Sequence, residues 1–90
     1  MIQVEFFATI RDLTGEKEIR IEKTDAVGDL LRLLLQRYGA PLREKMCDGE
    51  ELSDEITILV NGMHISSTGG LATPLSDGDE VAIFPIVGGG

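Results

Sequence analysis

The sequence predicts an α+β domain in which one long amphipathic helix covers one face of a mixed sheet of four to five strands. Three observations carry this prediction. Apolar residues fall at the spacing of a helical face over Val27–Tyr38, while strand-length runs that alternate or stay apolar occupy residues 2–7, 17–22, 56–60 and 80–84. Clusters of turn-forming residues separate these runs. With 90 residues there is room for one small domain only, and no repeat or linker divides it. Residues 1–85 are expected to form the domain and residues 86–90 a flexible C-terminal tail.

At the start, Ile2, Val4 and Phe6 share one face of a strand while Gln3, Glu5 and Phe7 share the other, so Phe7 is an apolar residue pointing away from the core. Arg11 to Gly15 reads as a turn. Lys17 to Glu22 then alternates with Ile19 and Ile21 inward, which makes the first two strands a hairpin with a short connection. Val27, Leu30, Leu31, Leu34, Leu35 and Tyr38 recur at i, i+3, i+4, i+7, i+8 and i+11, the stripe of a core-facing helix. Asp25 is placed to cap it, Asp29 adds first-turn negative charge, and Gly39 with Pro41 supplies a stop. Arg32, Gln36 and Arg37 make its polar face.

Residues 42–55 carry charges and few apolar anchors, which predicts a helical turn over Leu42–Cys47 and then an exposed loop. Ile56 to Val60 is a buried strand. Asn61-Gly62 is a two-residue turn into a short return strand, Met63 to Ile65, because both turn positions tolerate positive φ. Gly69 and Gly70 read as a turn, as does Ser76 to Asp79, and Glu80 to Phe84 is the last strand, left at Pro85.

Composition excludes several classes of function. Eight Lys plus Arg against sixteen Asp plus Glu give a net charge of −8, which repels phosphate backbones and anionic lipid surfaces, so neither nucleic acid nor membrane is an expected partner. No stretch approaches the roughly 18 apolar residues of a membrane span, and the first residues lack a basic end followed by an apolar run. A cytoplasmic address is the expectation. A single cysteine, Cys47, rules out an internal disulfide, and one histidine, His64, rules out a multi-histidine metal site, so no metal is expected. Cys47 has no histidine near it in sequence and reads as an inert thiol; His64 reads as a surface residue; Glu50-Glu51 and Asp54-Glu55 read as a solvated acidic loop.

The C-terminus offers chemistry of another kind. Gly88, Gly89 and Gly90 have no side chains to pack, and from Pro85 an extended chain of ~3.3–3.6 Å per residue reaches about 20 Å, enough to enter a partner's cleft. Its α-carboxylate is ionised at neutral pH and, with no Cβ crowding it, can attack an activated phosphate. Phe7, Leu59 and Phe84 stand at strand positions of parity opposite to Phe6, Val60 and Ile83, an apolar patch on the uncovered face of the sheet that calls for a partner.

Val4-Glu5-Phe6-Phe7-Ala8-Thr9-Ile10-Arg11, Ile58-Leu59-Val60-Asn61-Gly62, Gly69-Gly70-Leu71-Ala72-Thr73-Pro74-Leu75 and Asp77 through Gly90 resemble, in the same order, stretches of the ubiquitin-like sulfur carriers. That family includes the small subunit of molybdopterin synthase, the thiamine- and cysteine-biosynthesis carriers and the small archaeal modifier proteins. The resemblance implies a β-grasp fold and a working C-terminal diglycine, here Gly89 and Gly90. Gly90 would be adenylated and then converted to a thiocarboxylate by a sulfur donor. It also implies no catalytic residues and no bound cofactor, since ATP is used by the partner. Two partners follow: an adenylating enzyme like the ubiquitin-activating enzymes, and the large catalytic subunit of molybdopterin synthase. Both would be met through Phe7, Leu59 and Phe84, and the chain would be a monomer when free.

Two departures from the family pattern stand out: Ile86 replaces a second proline, and Gly88 makes a third terminal glycine. The leading expectation is a sulfur donor in molybdenum or tungsten cofactor biosynthesis, acting as the non-catalytic subunit. The alternatives are a modifier joined through Gly90 to target lysines, or a sulfur carrier for thiamine or cysteine biosynthesis. A plain interaction domain that shares only the fold is the third class.

Overall fold

The computed structural model describes residues 1–49 and 51–86. Strand β1 (Ile2–Phe6) is followed by helix α1 (Ala8–Thr14), strand β2 (Glu18–Ile21), helix α2 (Val27–Tyr38) and helix α3 (Ala40–Met46). A two-residue pair, β3 (Cys47–Asp48) and β4 (Glu51–Leu52), precedes β5 (Ile56–Val60), β6 (Met63–His64) and β7 (Glu80–Pro85). The main sheet has the order β2-β1-β7-β5-β6, with β7 parallel to β1 and antiparallel to β5. The first strand and the last therefore lie side by side at its centre.

The predicted parity sets this architecture. Ile2, Val4 and Phe6 of β1, Val81 and Ile83 of β7, and Ile56, Ile58 and Val60 of β5 are all buried on one face, against Val27, Leu30, Leu31 and Leu34 of α2. Leu35 and Tyr38 pack on this core from its margin. Phe6 meets the Tyr38 ring edge-on at 5.8 Å between centroids. The Asn61-Gly62 turn forms with φ of 51° and 84°, and Asn61 compensates the left-handed backbone with two side-chain bonds. Its Nδ2 donates to Asp79 Oδ1 at 2.9 Å, and its Oδ1 accepts the Glu80 amide at 3.0 Å.

Several expectations are corrected. The connection between the first two strands is not a bare turn but α1, a helix of seven residues holding Ile10 in the core and closed by Gly15 at φ 72°. The cap of α2 is Ala26, with no side-chain bond, because Asp25 lies one residue too early and instead accepts the Leu75 amide at its own carbonyl. The stretch expected as a loop after α3 contains the β3–β4 pair. Ile65 begins a 3-10 turn (Ile65–Ser67) rather than ending the return strand, and a second such turn covers Gly70–Ala72. Pro85 remains in β7, opposite Ile56, at a position where the ladder needs no proline amide.

Candidate functional site

Strand β7 builds the site. Its core-facing residues alternate with Ala82 and Phe84, which point to the face that no helix covers. The register brings Leu59 opposite Ala82 and Thr57 opposite Phe84. Phe84 and Leu59 are half-buried there, and Thr57, although outside the core, is closed off to 9% exposure.

Phe7 joins this patch by a different route from the one its parity suggested. It is not on a strand: it is the N-cap of α1, still extended at φ −126° and ψ 151°, and its amide bonds the Ile83 carbonyl at 3.1 Å. That bond extends the pairing of β1 with β7 by one residue and delivers the Phe7 ring to Phe84, edge to face at 5.8 Å. Phe7 is 36% exposed, so the pair presents an aromatic edge to solvent.

Sequence reasoning missed two residues of this patch. Arg11, one turn into α1, donates from Nε to the Phe6 carbonyl at 3.1 Å and lays its guanidinium 5.8 Å from the Phe7 ring centroid. A helix starting at Ala8 was the missing signal, because it places Arg11 back over its own N-cap. Ile86 lies two residues past Phe84, donates its amide to the Glu55 carbonyl at 2.7 Å and is 53% exposed. Period-two counting from Phe84 would have found it.

The rest of the uncovered face is charged. Glu5 faces Glu18 across β1 and β2, and Ala82 on the other side. Two carboxylates directly opposed repel each other; Gln3 donates to Glu18 at 2.7 Å, and Arg20, opposite Gln3, shares this face. An apolar half on β5 and β7 thus borders a charged half on β1 and β2, with Glu5 and Glu18 against Arg20.

The remaining candidates stand apart from this face or at its rim. His64, opposite Leu59, is exposed and accepts the Ser66 amide at Nδ1, 3.0 Å away. Cys47 is half-buried on the helical side, with its thiol free. Gly69 and Gly70 turn the chain at φ 120° and 62°. No group of three potential metal ligands occurs among the described residues, and no helix among them is long and apolar enough to cross a membrane. Gly88, Gly89 and Gly90 lie outside the described residues; β7 and Ile86 lead to them.

A β-grasp domain with an apolar patch on its open sheet face, and a central last strand leading into a terminal glycine run, defines the class of ubiquitin-like carriers. The chain belongs to the ThiS family, whose model matches residues 4–90. It is similar to small archaeal modifier protein 3 of Haloferax volcanii, with 37% identity over 91 residues covering 99% of this chain and 98% of that one. The molybdopterin synthase sulfur carrier subunit of Escherichia coli is 33% identical over 90 residues, the full length of both.

Among solved structures, small archaeal modifier protein 1 from Methanosarcina acetivorans superposes with a TM-score of 0.85 at 35% identity, covering 99% of this chain and 95% of that one. The carrier in the BexX/CysO complex of Amycolatopsis orientalis has the same TM-score at 27% identity, with both chains fully covered.

Proposed function

We propose that this protein carries sulfur as a thiocarboxylate on Gly90 and donates it in molybdopterin biosynthesis. The observation that supports this reading best is the continuity of β7, which bears Phe84 in the open apolar patch and then leads directly toward the terminal glycines. A partner that grips Phe7, Leu59 and Phe84 holds the chain at the root of its working end.

In the proposed cycle the Gly90 carboxylate attacks the α-phosphate of ATP held by an adenylating enzyme, releasing pyrophosphate. A sulfur nucleophile then displaces AMP from the acyl carbon and leaves the thiocarboxylate. The glycine run suits both steps, since no side chain obstructs a narrow tunnel. The chain supplies the reacting carboxylate and the docking patch, and the large subunit of the synthase consumes the sulfur. Partner surfaces are expected to match both halves of the uncovered face, with an apolar contact for Phe84 and Leu59 flanked by basic groups for Glu5 and Glu18.

A second reading is favoured by one observation, the similarity over nearly the whole chain to small archaeal modifier protein 3. Under it, Gly90 is transferred to target lysines from the same adenylate. A tagged copy expressed in its native cell separates the two. Sulfur donation predicts a thiocarboxylate on the free protein and no adducts. Conjugation predicts a ladder of heavier bands that survives thiol reductants and vanishes when Gly89 and Gly90 are deleted. A ladder without any thiocarboxylate, under sulfur-replete conditions, would overturn the carrier reading.

A further inference from the structure

A groove of about 510 Å³ opens on the helical side of the molecule, away from the uncovered sheet face. Gly28, Leu31 and Leu35 of α2 form its floor at i, i+3 and i+7, a stretch of about 10 Å at 1.5 Å per residue. Leu52 of the β3–β4 pair and Leu71 of the second 3-10 turn form its walls, and Leu71 is 41% exposed. Gly28 is what admits this wall: a Cβ there would come within 3.2 Å of the Leu71 carbonyl oxygen.

The charge of the groove runs against that of the protein. The chain carries −8, yet Arg32 and Arg43 both line the groove, with Asp29 as the one acidic residue of the lining among the described residues. Asp29 engages Arg32 at 3.3 Å, with the Arg32 side chain still 73% exposed. A leucine-lined trough two helical turns long, edged by guanidinium groups, is complementary to a segment with an aliphatic stripe bordered by carboxylates.

We propose that this groove receives an acidic amphipathic segment of a partner protein. A second copy of the chain and a nucleic acid are both disfavoured, since each would bring an extended negative surface beyond the groove against a net charge of −8, whereas a short segment meets the guanidinium edge locally. The proposal is independent of the sulfur-carrier reading. It leaves Phe7, Leu59, Phe84 and the end of β7 uncovered, so that one protein can hold the domain from its helical side while another works on the terminus.

The test uses the full chain and three synthetic amphipathic peptides with the same leucine stripe, bordered by glutamate, glutamine or lysine. Amide shifts in nitrogen-15 spectra locate binding, and the rate of alkylation of Cys47, the sole thiol and a lining residue, reports occupancy. The glutamate peptide is expected to shift amides of α2, residues 47–52 and residues 70–72, to slow alkylation of Cys47, and to bind about tenfold tighter than the glutamine peptide, a difference that added salt diminishes. The double variant Arg32→Glu, Arg43→Glu, both exposed positions, should fold normally, lose the glutamate peptide and gain the lysine peptide.

Equal binding of the glutamate and glutamine peptides overturns the proposal, as does no binding of the glutamate peptide at millimolar concentration. Shifts centred on Phe7, Leu59 and Phe84, or a charge-reversed variant that keeps its preference, do the same. Free glutamate or inorganic phosphate reproducing the shifts would make this a small-anion site, and self-association without peptide would make it a dimer surface; either result also refutes the partner-segment proposal.

Discussion

Phe84 holds two roles that one substitution can separate. In the free protein it is half-buried, lies opposite Thr57 and meets Phe7 edge-on, a pair worth about 0.5–1.5 kcal/mol beyond its buried area. In the proposed docking it would serve as a central aromatic anchor, where truncation or charge commonly costs roughly 2 kcal/mol or more. Phe84→Arg is therefore expected to lower stability modestly in urea and to weaken binding to the adenylating enzyme more than that. Global unfolding of this variant would place Phe84 in the core and remove Leu59 and Phe7 from the docking surface with it.

The neighbouring Ala8 offers a second residue-scale test. It sits at φ 51° with no side chain to compensate, unlike Asn61 at the same angle. Left-handed backbone costs an L-residue roughly 1–2 kcal/mol, and glycine's extra chain entropy takes back about 0.5–1 kcal/mol of any relief. Ala8→Gly should then be neutral to about 1 kcal/mol stabilising by denaturant titration. A clear destabilisation would show that the turn presenting Phe7 is not strained.

At the scale of elements, α2 ends in a group that links stability to pH. The Tyr38 hydroxyl is buried without a hydrogen-bond partner among the described residues. Burial is the main cause that pushes its pKa above the usual tyrosine value. Arg37 opposes this by lowering it, and Glu16, which Arg37 meets at 3.5 Å, raises it again. A raised folded-state pKa means that the neutral phenol is favoured in the native protein. Its contribution is complete below the ordinary tyrosine pKa of about 10 and is lost as pH rises through the folded value. Tyr38→Phe should be neutral or stabilising near pH 7, since it removes an unsatisfied hydroxyl, and should flatten the alkaline decline of the melting temperature. An unchanged alkaline limb would show that Tyr38 does not titrate with folding.

The elements whose faces period alone placed are those whose burial repeats, whereas β6, exposed throughout, was found from the Asn61-Gly62 turn. Ile2, Val4 and Phe6, Ile56, Ile58 and Val60, and the α2 stripe each have three or more apolar residues in register, so period alone placed their faces. Helix α1 escaped because Ile10 is its one buried residue and no side chain caps it; Gly15 in the left-handed region, the helix-ending signal, read instead as part of a turn. The β3–β4 pair escaped because two residues per strand are too few to alternate. The place of Leu59 and Phe84 on the open face was legible by parity. Phe7 was placed on the right face for a partly wrong reason, and Arg11 depended on the unseen helix.

For the molecule as a whole, charge and chain direction bear on the proposed interactions. A net charge of −8, with Glu5 and Glu18 opposed on the open face, favours basic partner surfaces, so association with the adenylating enzyme should slow as ionic strength rises above physiological. Gly89 and Gly90 have no side chains to bury, and deleting them should change stability by less than about 1 kcal/mol. The same deletion should abolish activation, because the reacting carboxylate then sits on Gly88, short of its site. The most direct measurement of the central claim is the intact mass of the protein after incubation with a cognate adenylating enzyme, ATP and a sulfur donor. The full chain is expected to gain the mass difference of sulfur for oxygen at its C-terminal residue, and the chain lacking Gly89 and Gly90 is expected to gain nothing. A mass shift in the truncated chain, or a full-length chain that is adenylated yet never acquires sulfur, would contradict the carrier function.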